Sequence, residues 1–242
     1  MERQPRISVD GEVPVRGTIG FFDSGIGGIS VVREFMRLRP EAEVYYIADW
    51  EHCPYGGKPE SLVRERAHAL TRMLSAQGCQ VVVVACNTAT AVAIDSLRAA
   101  FDVPFVGMEP AVKPAALHSK SGVVGILATE STFHGRLFKE TSARFADRAR
   151  IVTAVGRGFV ERVEAGDIDS PQTEAVVREA IRPLLDAGAD HLVLGCTHYP
   201  FLKAVIRKVA GPDIVIVDPT LPVALRAAEL LDKALATAGG RP

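Results

Sequence analysis

Two apolar runs that each end in a cysteine constrain this chain more than any other feature. Val81–Ala85 runs into Cys86-Asn87-Thr88, and His191–Gly195 runs into Cys196-Thr197-His198. Each is followed by residues with helical spacing. Short, near-continuous Val/Ile/Leu runs separated by helix-length stretches predict strands buried on both faces, hence parallel sheets in an α/β fold. A cysteine set between such a strand and a helix N-terminus meets free N–H groups and the positive end of the helix dipole, which favour thiolate over thiol. The chain does this twice, 110 residues apart. One activated thiol reads as a nucleophile; two equivalent ones read as acid/base groups facing each other across one substrate.

The same patterning extends along the chain. Strands are predicted at Thr18–Phe22, Val44–Ala48, Val81–Ala85, Pro104–Gly107, Val123–Leu127, Ile151–Val155, His191–Gly195 and Ile214–Val217. Helices are predicted at Ile29–Leu38, Pro59–Gln77, Thr88–Phe101, Pro110–Leu117, Ser131–Phe145, Phe159–Glu164, Pro171–Ala187, Pro200–Val209 and Pro222–Leu235. Thr18–Phe22 with its Ser/Gly turn is echoed by Val123–Leu127 with its Thr-Glu-Ser turn. The chain therefore divides into an extension, 1–17, a first α/β domain, 18–112 plus 219–242, and a second, 113–218. Ligands of open parallel sheets bind beyond the carboxyl ends of the strands. Two pseudo-symmetric domains with those ends turned inward would bring both cysteines into one cleft.

Charge and cysteine usage narrow the class. With 28 Lys+Arg against 29 Asp+Glu the net charge is -1, which gives no nucleic-acid footprint and points to a small-molecule partner. The four cysteines show no CxxC spacing, so neither a zinc cluster nor a disulfide scaffold is expected. No apolar run approaches the ~20 residues that span a bilayer. A reducing cytoplasm with free thiols is the expected location.

Three segments carry candidate chemistry besides the cysteines. Phe21–Gly28 (FFDSGIGG) is a strand entering a glycine-rich turn. There Asp23 and Ser24 either cap the following helix or point into a cleft. Gly25, Gly27 and Gly28 would allow positive φ and close backbone approach. Asp49–Lys58 contains Pro54-Tyr55-Gly56-Gly57, either an ordinary turn or a set of exposed N–H groups able to receive a carboxylate. Cys53 in that loop lacks the strand-to-helix setting and is expected to be incidental; Cys79 is expected to be a small core residue. His198, two residues after Cys196, can polarise that thiol or a substrate proton.

Taken together, Phe22–Gly28 (FDSGIGG), Pro54–Gly56 (PYG), Ala85–Thr90 (ACNTAT) and Gly195–Pro200 (GCTHYP) resemble the glutamate racemase family of the aspartate/glutamate racemase superfamily, in its order and spacing, from about Thr18 to about Leu230. The resemblance implies cofactor-free, two-base racemisation of glutamate, supplying D-glutamate for peptidoglycan. Cys86 would take the α-proton of the D-enantiomer while Cys196 protonates the opposite face, with roles reversed for the L-enantiomer. Asp23 would assist Cys86, and His198, with Glu164 as its carboxylate partner, would assist Cys196. Ser24, Asn87, Thr88 and Thr197, with Asp23 and His198, would hold the amino-acid head group. Pro54, Tyr55 and Gly56, with Thr129, would receive the side-chain carboxylate. No metal, no cofactor, no nucleic acid and no membrane are implied; the expected assembly is a homodimer.

Two stretches depart from the family pattern. Asp49 is followed by Trp50-Glu51-His52-Cys53 where a Thr-Ala-Arg-like run is more usual, and Val155–Arg162 replaces a Cys/Pro-rich run before Glu164. Other readings keep the fold but change the role. They are a one-thiol decarboxylase or isomerase, a racemase of another amino acid, a Cys–His hydrolase, and an inactive paralogue that regulates a partner. Two complete cysteine motifs count against the one-thiol and hydrolase readings, and the presence of Asp23, Cys86, Cys196 and His198 counts against an inactive paralogue; the choice of amino acid stays open.

Overall fold

The computed structural model describes residues 17–239. Of the expected extension at 1–17, residues 1–16 lie outside the described residues, while the Gly17 carbonyl accepts from the Glu43 amide at 2.9 Å. Two four-stranded, fully parallel sheets form the frame. The first contains β1 (Thr18–Asp23), β2 (Glu43–Ala48), β3 (Val81–Val84) and β4 (Phe105–Gly107), in the order β2-β1-β3-β4. The second contains β5 (Val123–Ala128), β6 (Arg150–Val155), β7 (His191–Gly195) and β8 (Val215–Val217), in the order β6-β5-β7-β8. The two orders are the same, so β1 corresponds to β5 and β3 to β7. Internal symmetry that is faint in the residues is plain in the topology.

Period-two alternation explains how each sheet buries both faces. Phe22, Val82 and Val84 enter one apolar cluster, while Ile19, Phe21, Val81 and Val83 enter another on the opposite face. In the second sheet Leu127, Leu192 and Leu194 face one way, and Val124, Ile126 and Val193 the other. Helices cover these faces. α1 (Ile29–Leu38), α2 (Glu60–Ala76) and α3 (Asn87–Ala100) serve the first sheet. α4 (Val112–His118) crosses to the second sheet and packs with Val124 and Ile126. In the second half follow α5 (Glu130–His134), α6 (Arg136–Arg144), α7 (Phe159–Glu164), α8 (Pro171–Asp186) and α9 (Lys203–Ala210). The last helix, α10 (Thr220–Gly239), returns to the first half, where Val223, Ala224, Ala227, Ala228 and Leu231 join Val31 and Phe35.

Two helical expectations change. Ser131–Phe145 is not one helix: it breaks at Gly135, which takes an extended ψ of 140°. A Cβ there would sit 2.7 Å from that of Ala91 on α3, so the glycine lets the segment lie against the first half. Cys196 is not followed directly by an α-helix. A 3-10 turn over Tyr199–Leu202, with Pro200 in its first turn, intervenes before α9.

The amino ends of the two central strands of the second sheet are tied by one carboxylate. Asp190 accepts from Ser119 Oγ at 2.7 Å, from the Lys120 and Ser121 amides at 2.6 and 2.9 Å, and pairs with His191 Nδ1 at 2.8 Å. Burial works to raise its pKa, but the Ser119 and His191 bonds and the two amides outweigh it and hold it well below the usual carboxylate range. Asp190→Asn is expected to lower stability by about 1.5–3 kcal/mol at neutral pH, the range for bonds to a charged group. A depressed folded pKa contributes stability above the unfolded value of about 3.9, lost as pH falls through the folded one. The gap between wild type and variant in urea titrations should therefore be full at pH 7 and shrink below about pH 4.

Candidate active site

The carboxyl ends of the central strands meet between the two sheets. β1 ends at Asp23, Cys86 follows β3 by two residues, Thr129 follows β5 and Cys196 follows β7. These residues line one cavity with Ser24, Pro54, Tyr55, Gly56, Asn87, Thr88, Val160, Thr197 and His198. Every residue expected in the site except Glu164 is therefore part of one wall or another. No Lys or Arg is among the described residues lining it. Both thiols are buried, Cys86 with 5% and Cys196 with 7% of its surface exposed.

Asp23 is held from both halves. Its carboxylate accepts from the Ser24 and Gly28 amides at 2.7 Å each, and from Thr197 Oγ1 at 3.0 Å across the cleft. It caps no helix in the usual sense: α1 begins after Gly28 with no side-chain cap. Complete burial pushes its pKa up, against the opposing pull of His198 and of hydrogen bonds that include Cys86. Cys86 occupies the N-cap position of α3, as the strand-to-helix setting predicts. The expected thiolate is nevertheless not the resting form. Burial and the neighbouring Asp23 charge push the Cys86 thiol well above its ordinary range, and the Ala89 amide at the helix start offsets this only in part. Desolvation outweighs the helix end here.

The opposite wall is organised by α7. Glu164 lies at its C-terminal end and meets His198 Nε2 through Oε1 at 2.5 Å. The other ring nitrogen, Nδ1, stands 3.9 Å from Cys196 Sγ. Burial alone would raise the Glu164 pKa, but hydrogen bonds from His198, the Ile26 amide and Trp50 hold it down to about 2. Burial likewise opposes charge on His198, yet its bonds to Cys196, Cys53 and Glu164 raise it well above the ordinary histidine range. Both shifts favour an imidazolium–carboxylate pair, with Nδ1 toward Cys196.

The glycines of the FDSGIGG turn matter through closeness alone. None of Gly25, Gly27 and Gly28 takes a positive φ, contrary to one of the two expected reasons for them. A Cβ on Gly25 would lie 1.9 Å from Glu164 Oε1, and one on Gly27 would lie 2.5 Å from His198 Nδ1. Gly25→Ala and Gly27→Ala must displace the His198–Glu164 pair. Each is expected to lower kcat by roughly 100-fold, the effect of a displacement of about 1 Å at a reacting group. Steady-state racemisation assays check this, with circular dichroism confirming that the fold persists.

The loop between β2 and α2 holds more than was expected of it. The Tyr55 hydroxyl donates to Asp49 at 2.6 Å, and Arg66 grips the same carboxylate at 2.8 and 3.0 Å. The phenol is therefore an anchor for the loop, leaving its backbone and that of Gly56 to face the cavity. Thr129 meets Thr88 Oγ1 at 2.9 Å across the cleft. Trp50, marked in the sequence only as part of a departure from the family pattern and not as a site residue, donates Nε1–H to Glu164 Oε2 at 2.8 Å. Cys53 is not remote either. Its Sγ, a Glu164 carboxylate oxygen and a His198 ring nitrogen all lie within 4.8 Å of one another, although Cys53 does not line the cavity between the thiols. Their one signal in the sequence was the departure of Trp50–Cys53 from the family pattern.

The profile of the Asp/Glu/Hydantoin racemase family matches residues 30–227. The chain belongs to this family. Within it, the chain is 49% identical over 206 residues to the glutamate racemase of Methylococcus capsulatus, covering 85% of this chain and 76% of that one. Among solved structures, Escherichia coli glutamate racemase in complex with L-glutamate and the activator UDP-MurNAc-ala is 37% identical. It superposes with a TM-score of 0.82, over 90% of this chain and 83% of that one. The Francisella tularensis glutamate racemase in complex with D-glutamate is 28% identical with a TM-score of 0.79, over 90% and 82% of the two chains. The racemase family assignment thus rests on both the residues and the superposition, and it makes the chain an isomerase.

Proposed function

We propose that this chain interconverts L- and D-glutamate by two-thiol acid/base chemistry without a cofactor, with Cys86 and Cys196 on opposite faces of the α-carbon. The observation that carries this reading is the cavity itself. Two cysteines from equivalent strand ends of two equivalent sheets share it, each with its own proton-handling partner. Glutamate racemases at 43–49% identity over most of the chain support the substrate.

Racemisation breaks the α C–H bond on one face and forms one on the other. A single base tends to return its proton to the face it came from, so the reaction needs a base and an acid at once. In one direction the Cys86 thiol first yields its proton to Asp23, whose raised pKa suits it to take one. The Cys86 thiolate then removes the α-proton of D-glutamate, and Cys196 protonates the planar carbanion from the other side. His198 stands beside Cys196 to support its charged form as that proton leaves. Reversal of every step converts the L-enantiomer. Ser24, Asn87, Thr88 and Thr197 hold the head group, with the amides at the start of α3 available to its carboxylate. The Tyr55–Gly56 backbone and Thr129 receive the second carboxylate.

The cavity measures about 10 Å³, space for roughly one water. Glutamate therefore enters only when the halves part. A groove of about 230 Å³ adjoins it, sharing Pro54, Gly56, Thr129 and Val160, and gives the route. Product D-glutamate would serve peptidoglycan synthesis in the cytoplasm. That location, like the homodimer, belongs to this same reading and rests on the family; among the described residues no helix is long and apolar enough to cross a membrane.

The test is incubation of the purified chain with single amino acids in deuterated water, following α-proton exchange and optical rotation. Glutamate is expected to exceed glutamine and alanine in kcat/KM by roughly 10–150-fold. Each of these lacks a charge-assisted hydrogen bond worth on the order of 1.5–3 kcal/mol. Aspartate, one methylene shorter, should also be poorer because its carboxylate falls short of the Tyr55–Gly56 backbone. Equal kcat/KM for glutamate and a neutral amino acid would refute the substrate.

A further inference from the structure

Two-thiol racemisation leaves one feature of the site without a task. Cys53 stands beside the His198–Glu164 pair, partly exposed, and does not line the cavity between the reacting thiols. A thiol, an imidazole nitrogen and a carboxylate oxygen lie within 4.8 Å of one another. These three donor types are the ones a zinc ion accepts, at about 2.3 Å for sulfur and about 2.0–2.2 Å for nitrogen and oxygen. We propose that Cys53, His198 and Glu164 form an inhibitory site for a borderline-soft divalent cation of the zinc class, distinct from any catalytic requirement.

Four features favour it. The His198 nitrogen and the Glu164 oxygen are already drawn together at 2.5 Å, so an entering cation displaces the Nε2 proton to solvent and small side-chain rotations then aim both atoms at it. The second Glu164 oxygen is fixed by the Trp50 indole at 2.8 Å, and the Ile26 amide donates to the first at 2.8 Å. Such outer contacts orient metal ligands. A thiolate and a carboxylate balance a dication when the imidazole is neutral, so the occupied site carries no net charge. Cys53 is partly exposed, which gives an entry path and leaves the fourth tetrahedral position to solvent. Bound there, the ion would hold His198 by Nε2 and strip Cys196 of its charged partner. Turnover would stop without the ion touching either reacting sulfur.

The inhibition rests on the reading of His198 as the partner of Cys196; binding itself does not. The experiment therefore has two readouts, on full-length protein first freed of metal by a chelator. Zinc chloride is titrated into the glutamate racemisation assay, and cobalt chloride into the protein without substrate, watching the near-ultraviolet sulfur-to-cobalt charge-transfer band. Expected are loss of turnover at about one equivalent of zinc, recovery with excess chelator, and a charge-transfer band in wild type. Cys53→Ala should require at least tenfold more zinc for half-inhibition of the turnover it shows without metal, and lose the band. Cys86→Ala, inactive by design, should keep it. Inhibition of wild type and Cys53→Ala at the same zinc concentration would overturn the proposal. So would a band that survives Cys53→Ala and disappears in Cys196→Ala, since the metal would then sit on a reacting thiol. A chain that binds cobalt through Cys53 but does not racemise glutamate would refute the proposed function and retain the metal site.

Discussion

Cys86→Ala and Cys196→Ala are each expected to reduce glutamate racemisation by at least the 10²–10⁴-fold range that one positioned acid/base group supplies. Each removes the sole proton carrier on one face of the intermediate. In the proposed mechanism the partner thiol cannot compensate, because it serves the other face of the α-carbon, although both line the same cavity. The fold should survive both changes. Each side chain is small, and the surrounding core of Ala89, Ala93, Leu194 and Leu202 remains packed. Cys86→Ser and Cys196→Ser should leave only slow, one-sided exchange of the α-proton, visible by proton NMR in deuterated water without loss of optical activity. Cys79→Ala should racemise normally. Ordinary turnover in either catalytic alanine variant would eliminate two-base chemistry.

Glu164→Ala carries the second large effect, on stability and turnover together. The His198 side chain is 2% exposed and its Glu164 partner 14%. Removing one member of such a pair leaves a buried charge uncompensated, at a cost of about 3–5 kcal/mol. Two further donors, the Ile26 amide and the Trp50 indole, lose their acceptor at the same time. Urea denaturation should show a loss in this range, and racemisation should fall by about 100-fold or more as His198 ceases to face Cys196 in its charged form. Glu164→Gln, which keeps an oxygen for the Ile26 amide, should recover much of the stability and little of the turnover. Wild-type activity in Glu164→Gln would show that the carboxylate only props the loop.

Much of this site was legible before any coordinates. Apolar runs of four to six residues that end at Asp23, Cys86 and Cys196, rich in Val, Ile, Leu and Phe, read as strands delivering polar groups to their carboxyl ends, and the parallel order follows from their helix-length spacing. Glu164 was harder, since the residues before it depart from the family pattern; it is placed by α7, whose Phe159, Val160 and Val163 are buried on the second sheet's core. The close approach that Gly135 permits was hidden because its neighbour Ala91 lies more than 40 residues away in the chain.

The sequence by itself determined the fold class, the repeated strand–cysteine design and the two candidate thiols, because periodicity and local turn chemistry act over a few residues. Tertiary structure decided what those groups are electrically. Whether Cys86 rests as thiol or thiolate depends on burial and on Asp23, which outweigh the helix end that local reasoning favoured. Whether His198 carries charge depends on Glu164 and Cys53, respectively 34 and 145 positions away. The close passage of Gly25 and Gly27 against that pair is likewise a fact of two halves meeting. Coulomb and desolvation energies depend on distance in space and on exclusion of water, and neither quantity is written in the order of residues along the chain.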